Sequence, residues 1–275
     1  SRQWGSGFLP SKFQGVQFYS QGDPVHYVRS SPGINREQQR NFVDTVGKLN
    51  RLRNNKVNNP EIESRISQYE LAFRMQSAAA ELLDLSKESA ATLQMYGITD
   101  INAPSYARNC LLSRRLIERG VRFVEVFHGD WDHHTSIYQR LPNECKTTDQ
   151  GSAALVIDLA QRGLLDDTLV IWGSEFGRSS VAQKSQMPGE PVGRDHHVKA
   201  FTMWFAGGGV KAGASIGQTD DIGFDSITDK YHVHDLHATM LHAVGLDHEQ
   251  LTYRHQGRDY RLTDIHGDVK HELFA

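Results

Sequence analysis

The feature that most constrains this chain is a change of pattern at Pro104. Downstream of it, helix-like and strand-like stretches alternate, the signature of strands joined by crossover helices. The run "PSYARNCLLSRRLIERG" reads as a helix closed by Gly120, and "VRFVEVF" (121–127) as a short apolar strand. "DQGSAALVIDLAQRG" and "TLVIWG" repeat the pair, "KAFTMWFAGGG" supplies a third strand, and "HDLHATMLHAVG" a late helix. The expected fold class is therefore α/β, with a doubly wound, mostly parallel sheet over residues 104–275. "GRDYRLTDIHG" reads as a hairpin or strand pair at its edge.

Upstream the sequence differs in kind. Residues 1–33 are rich in Gly, Pro and Ser with short β-like pieces, "GVQFYS" and "VHYVRS", and read as an irregular lead-in. Residues 35–54 and 60–79 are charged and periodically apolar (Phe42, Val46, Leu49; Ile62, Ile66, Tyr69, Phe73), the pattern of two amphipathic helices. "SAAAELLDLSKESAATLQMYG" continues in that style to Gly97. Residues 1–103 are thus expected to form an irregular and helical segment packed on the main domain, within one continuous globular unit.

The chemistry is concentrated in the second half. Of 14 histidines only His26 precedes residue 128. "HGDWDHH" directly follows the strand 121–127, "SEFGR" follows the strand around 168–173, and "GRDHH" lies in the loop returning to the third strand. In a parallel sheet, sites form beyond the carboxyl ends of the strands, so three polar clusters are expected on one rim. Carboxylate oxygens and imidazole nitrogens are the donors a divalent ion such as Zn, Ca, Mn or Mg takes without thiolates. Asp132, His134, Glu175, Asp195 and His196 or His197 provide them, and Arg178 either holds an anionic group bidentately through its planar fork or forms an ordinary salt bridge. Any one cluster alone reads better as a solvated loop; three at matched positions favour a metal site suited to phosphoryl or sulfuryl ester hydrolysis.

Other histidines have plainer explanations. Asp235 is expected to cap a helix beginning near His234, with His237 in its first turn. His234, His237, Asp264 and His266 are read as structural, and His128 and His133 as supporting or exposed. "GGGVKAG" lacks the spacing of a nucleotide loop. A net charge of -3, with no Lys/Arg run beyond two residues, argues against nucleic acid as a partner. No run approaches the roughly 18 apolar residues of a membrane span. Cys110 and Cys145 belong to no CxxC pair, so neither a disulfide scaffold nor a thiolate metal site is indicated.

The ordered set "GSGFLPSKFQGV", "WDHH", "SEFGR", "GRDHH", "FTMWFAGGGVKAG" and "HVHDLHATMLHAVGLDH" resembles the DUF1501 family of sulfatase-like proteins over essentially the whole chain. The resemblance implies an alkaline phosphatase-like fold and a metal-dependent hydrolase of sulfate or phosphate esters, small-molecule or glycan. It also implies that Asp132, His134 and His196 or His197 form one metal site. "SEFG" stands where relatives carry a Ser/Ala-Asp-His-Gly motif, so Glu175 would replace an aspartate ligand and Phe176 a histidine. Relatives also bring an aspartate ligand and a nucleophile on an early strand that residues 1–33 do not match. The chain is accordingly expected to be an N-terminally truncated member lacking its nucleophile, and full-length relatives to be exported by a twin-arginine signal. The alternative is a non-catalytic protein of that fold binding carbohydrate or a protein partner, which Phe176 favours.

Overall fold

The computed structural model describes residues 9, 13–19, 25, 33–59, 62, 63, 65–67, 69, 70, 73, 81–184 and 189–275. The chain divides into two compact units, residues 1–94 with 98–124, and residues 95–97 with 125–275.

The first unit is helical. Helix α1 (Arg36–Val57) begins at a capping box, in which Asn35 accepts from the Gln38 N–H and the Gln38 side chain accepts from the Asn35 N–H. Its C-cap, Asn58, turns left-handed at φ 46°. The expected second helix, 60–79, falls largely outside the described residues; those described within it, such as Ile62, Ile66 and Glu70, are helical. Arg40 holds Glu70 at 2.9 Å, tying that segment to α1. Of the β-like lead-in pieces, residues 15–19 are irregular, and all of "VHYVRS" except Val25 lies outside the described residues.

Helix α2 (Ala90–Tyr96) ends at Gly97, and α3 (Tyr106–Glu118) is capped by the Ser105 hydroxyl on the Arg108 N–H. One face of α3 carries Cys110, Leu111 and Leu112 into the core of this unit, where Leu82, Leu85 and Ile98 are also buried. One turn further along the same face it buries Arg114 and Arg115, which share the Glu88 carboxylate at 2.7 and 2.9 Å. Such a buried cluster tolerates its charges only because they are paired.

In the second unit α4 (Ile137–Gln161) buries Ala154, Leu159 and Asp158, the last accepting a hydrogen bond from the Tyr96 hydroxyl at 3.1 Å. Among the described residues, eight short strands form four separate two-stranded sheets, all antiparallel. β1 (Val170–Trp172) pairs with β4 (Trp204–Ala206), and β2 (Gly177–Gln183) with β3 (Gly193–His197). β5 (Gln218–Thr219) pairs with β6 (Ser226–Thr228). Helix α5 (Val233–Ala243) follows, and then the hairpin of β7 (Thr252–His255) and β8 (Arg258–Arg261). That hairpin turns on Gln256 and Gly257, both at positive φ as its two-residue loop requires.

This overturns the expected doubly wound, mostly parallel sheet and with it the alkaline phosphatase-like fold that the resemblance implied. The helix and strand alternation is present, since 170–172 and 204–206 are strands, but they pair with each other in antiparallel register, Trp172 opposite Trp204. The stretch 121–127 forms no ladder among the described residues, and its ring residues face water, Phe123 68% and Phe127 60% exposed. A short apolar run reports the tendency to be extended; it carries no information about which strand will lie beside it or in which direction.

Candidate metal centre

The site is assembled in the second unit from three segments. The first is the loop 128–136, bracketed by two non-glycine residues at positive φ, Asp130 (67°) and Ser136 (53°). Such conformations are unfavourable for residues with a Cβ and persist only where the surroundings hold them. Here the surroundings are residues 191–194. The Ser136 N–H donates to the Pro191 carbonyl at 3.1 Å and the Arg194 N–H to the His133 carbonyl at 3.1 Å, with a bridge between Thr135 and Val192. At Gly193 the two backbones nearly touch: a Cβ there would lie 2.1 Å from the His134 carbonyl carbon.

The second and third segments are the two strands of the β2–β3 hairpin. Its register places Arg178 opposite His196 and Gln183 opposite Gly193, with an irregularity between. Gly177 permits a second close approach, since a Cβ would stand 2.2 Å from the Ala200 carbonyl oxygen. "SEFGR" and "GRDHH" therefore meet across one antiparallel hairpin.

Asp132 Oδ1 is the focus. His134 Nε2 lies 2.9 Å from it, His196 Nε2 3.1 Å and Arg178 Nη2 2.7 Å. Asp132, His134 and His196 each offer one ligand atom within 4.8 Å of the others, and no other such trio occurs among the described residues. The two nitrogen-to-oxygen separations are close to the roughly 3.3 Å that separates two donors on one tetrahedral ion with bonds of about 2.0–2.1 Å. The donor set, two imidazoles and a carboxylate, thus fits a divalent cation with a coordination position left open.

The neighbours hold this geometry. Gln183 Oε1 lies 2.8 Å from His134 Nδ1, so an Nδ1–H donated there leaves Nε2 with its lone pair toward Asp132. Asp195 Oδ1 stands 3.9 Å from His134 Nδ1 and 3.7 Å from His196 Nδ1, and accepts the His196 backbone N–H at 2.8 Å. Glu175 Oε1 lies 3.4 Å from Arg178 Nη2 and 3.6 Å from His196 Nε2. Arg178 Nη2 also donates to the Trp131 carbonyl at 3.3 Å, while its Nη1 is buried and unbonded among the described residues. Desolvation opposes the charge on Asp132, but the hydrogen bond and charge of Arg178, aided by the two histidines, outweigh it and keep the carboxyl below its usual range.

The seven residues expected at the site are thus placed unequally. Asp132, His134 and His196 form the trio, while Arg178, Glu175 and Asp195 surround it. His197 lies on the opposite face of β3, with Nε2 3.1 Å from the Gly223 carbonyl and its ring beside Phe224. Alternation along the strand decides between the two histidines.

His133 is buried at 1% exposure, which with nearby Arg140 lowers its pKa, and its Nε2 has no hydrogen bond among the described residues. His128 accepts the Trp131 indole N–H at 3.0 Å. Away from the site, His232 caps α5, and Asp235 is its third residue rather than its cap, accepting the His232 N–H. Gln183 and Gly193 escaped the sequence reading. A glycine directly before "RDHH" was a usable hint of close backbone approach, whereas nothing local marks a glutamine 49 residues from its histidine partner.

The sequence profile of DUF1501, described as a protein of unknown function, matches residues 1–274. The chain belongs to the DUF1501 family. No curated protein and no solved structure matches it. For this DUF1501 protein, then, chemistry must be argued from the cluster itself. Among its described residues no helix is long and apolar enough to cross a membrane.

Proposed function

We propose that this DUF1501 protein binds one divalent cation through Asp132, His134 and His196 and acts on sulfate or phosphate esters, small-molecule or glycan, as a metal-dependent hydrolase. The observation that carries the reading is the convergence of three ligand atoms from two distant segments within 4.8 Å. When bound, the cation would polarise an ester oxygen and offset charge developing in the transition state. The protein's own groups do the rest: Gln183 orients the His134 imidazole, Asp195 holds the His196 backbone N–H, and Arg178 binds the tetrahedral oxyanion. Of Zn, Mn, Ca and Mg, the two nitrogen donors favour Zn or Mn, because Ca and Mg prefer all-oxygen cages. Export of the protein, with its metal already loaded, accompanies this reading through the family resemblance.

One observation favours a second reading, a binding protein without turnover. Phe176 is 42% exposed and sets its ring edge-on to His196, with centroids 5.8 Å apart, where a further ligand would otherwise extend the site.

Elemental analysis after zinc loading, with Asp132→Ala, His134→Ala, His196→Ala and His197→Ala in parallel, tests the site. About one equivalent is expected in the wild type and in His197→Ala, and none in the other three. Absence of metal from the wild type overturns the reading. Metal-dependent release of nitrophenol from p-nitrophenyl sulfate or phosphate excludes the binding protein, whereas binding of a sulfated glycan with weak metal affinity supports it.

A further inference from the structure

The convergence on Asp132 has a conflict in it. Its Oδ1 is shared by the two imidazoles that would ligate a cation and by the Arg178 guanidinium, at 2.7 Å the nearest of the three. A cation held by that oxygen and Arg178 are like charges competing for one acceptor. Resting on the metal reading above, we infer that Arg178 is a switch: it occupies Asp132 until a divalent cation takes that oxygen, and only then becomes the receptor for a tetrahedral oxyanion.

Three features support this order. The first is the state of the fork. Bidentate recognition of sulfate or phosphate needs both terminal nitrogens of the guanidinium. Here Nη1 is buried without a hydrogen bond among the described residues, while Nη2 is taken up by Asp132, Glu175 and the Trp131 carbonyl. Loss of the Asp132 contact, the shortest of these, frees the second tooth beside the first. The second is tethering. The Trp131 carbonyl at 3.3 Å engages one of the two Nη2 hydrogens and keeps Arg178 at the site when it leaves Asp132, while the other hydrogen, near Asp132 and the more distant Glu175, turns to the oxyanion.

The third is charge. Three carboxylates, Asp132, Glu175 and Asp195, and one guanidinium line the site, which leaves two net negative charges among them. An oxyanion is repelled by that set, and a divalent cation cancels it. Cation and oxyanion therefore assist each other, by one shared factor in both directions.

The test is calorimetric and needs no substrate. Zinc is titrated into metal-depleted protein with and without inorganic sulfate, and sulfate into protein with and without zinc. Sulfate is expected to tighten zinc binding roughly tenfold, and zinc to tighten sulfate by the same factor, the usual size of such coupling. Arg178→Met removes the competitor, so it is expected to bind zinc about tenfold more tightly than the wild type and to lose the response to sulfate. Arg178→Lys, which keeps the charge, is expected to stay near the wild type in zinc affinity. Zinc binding that sulfate leaves unchanged in the wild type overturns the switch while leaving the metal site standing, as does a folded Arg178→Met that binds zinc no better. No zinc binding by the wild type removes the metal site and the switch together.

Discussion

Replacing Gly193 with alanine tests whether the site depends on two backbones touching. The added methyl would stand 2.1 Å from the His134 carbonyl carbon, 2.2 Å from its oxygen and 2.4 Å from the Thr135 nitrogen. All three are backbone atoms, so no side chain can swing aside. Reaching ordinary contact at 3.4 Å requires the 134–135 segment and β3 to separate by about 1.3 Å. That is enough to break the 3.1 Å bond from the Arg194 N–H to the His133 carbonyl and to move His134 Nε2 off Asp132.

Overpacking of this kind costs typically about 1–3 kcal/mol of stability, and disturbing the support of a metal ligand costs about 10–100-fold in affinity. Thermal unfolding and zinc titration by calorimetry measure both. Gly129→Ala is the control, because a Cβ at Gly129 meets nothing within 4 Å and its φ lies outside the left-handed region. The reasoning fails if Gly193→Ala binds zinc as the wild type does, or if Gly129→Ala is equally damaged.

Two further outcomes concern groups that are not part of the site. Cys110 is buried in the first unit, and burial, slightly opposed by Tyr106, pushes its thiol up to about 11, whereas Cys145 is exposed. One thiol per chain should therefore react with a disulfide reagent at pH 8 in the folded protein and none in Cys145→Ser; two reactive thiols would contradict the packing of α3. Asp235 feels desolvation that raises its pKa, but the Asp268 and His232 N–H groups and Lys270 outweigh it and hold the carboxyl below its usual range. A lowered folded-state value gives stabilisation that is complete above the ordinary aspartate value of about 3.9 and is lost as pH falls through the lower one. Asp235→Asn should cost about 1–3 kcal/mol at pH 7 in denaturant titrations, with the gap to wild type closing below about pH 4; a gap independent of pH would show that charge plays no part.

The sequence by itself determined the inventory and several helix boundaries. Asn35 with Gln38, Ser105, and the glycines at 97, 120 and 163 mark helix boundaries through capping and left-handed turns, which are interactions between near neighbours. Asp132, His134, Glu175, Arg178, Asp195 and the His196–His197 pair were legible as donors because ligand chemistry belongs to side-chain type. The tertiary structure decided everything that depends on partners far along the chain. Apolar periodicity indicates that 170–172 and 204–206 are strands, yet both a parallel and an antiparallel neighbour satisfy such short runs, and the register Trp172 to Trp204 chose the second. The same kind of choice put Arg178 opposite His196 and turned His197 away, brought Gln183 to His134, and pressed Gly193 against the His134 backbone. Apart from the glycine itself at 193, none of these has a local signature, because register and close approach are set by the packing of whole segments rather than by the residues that end up in contact.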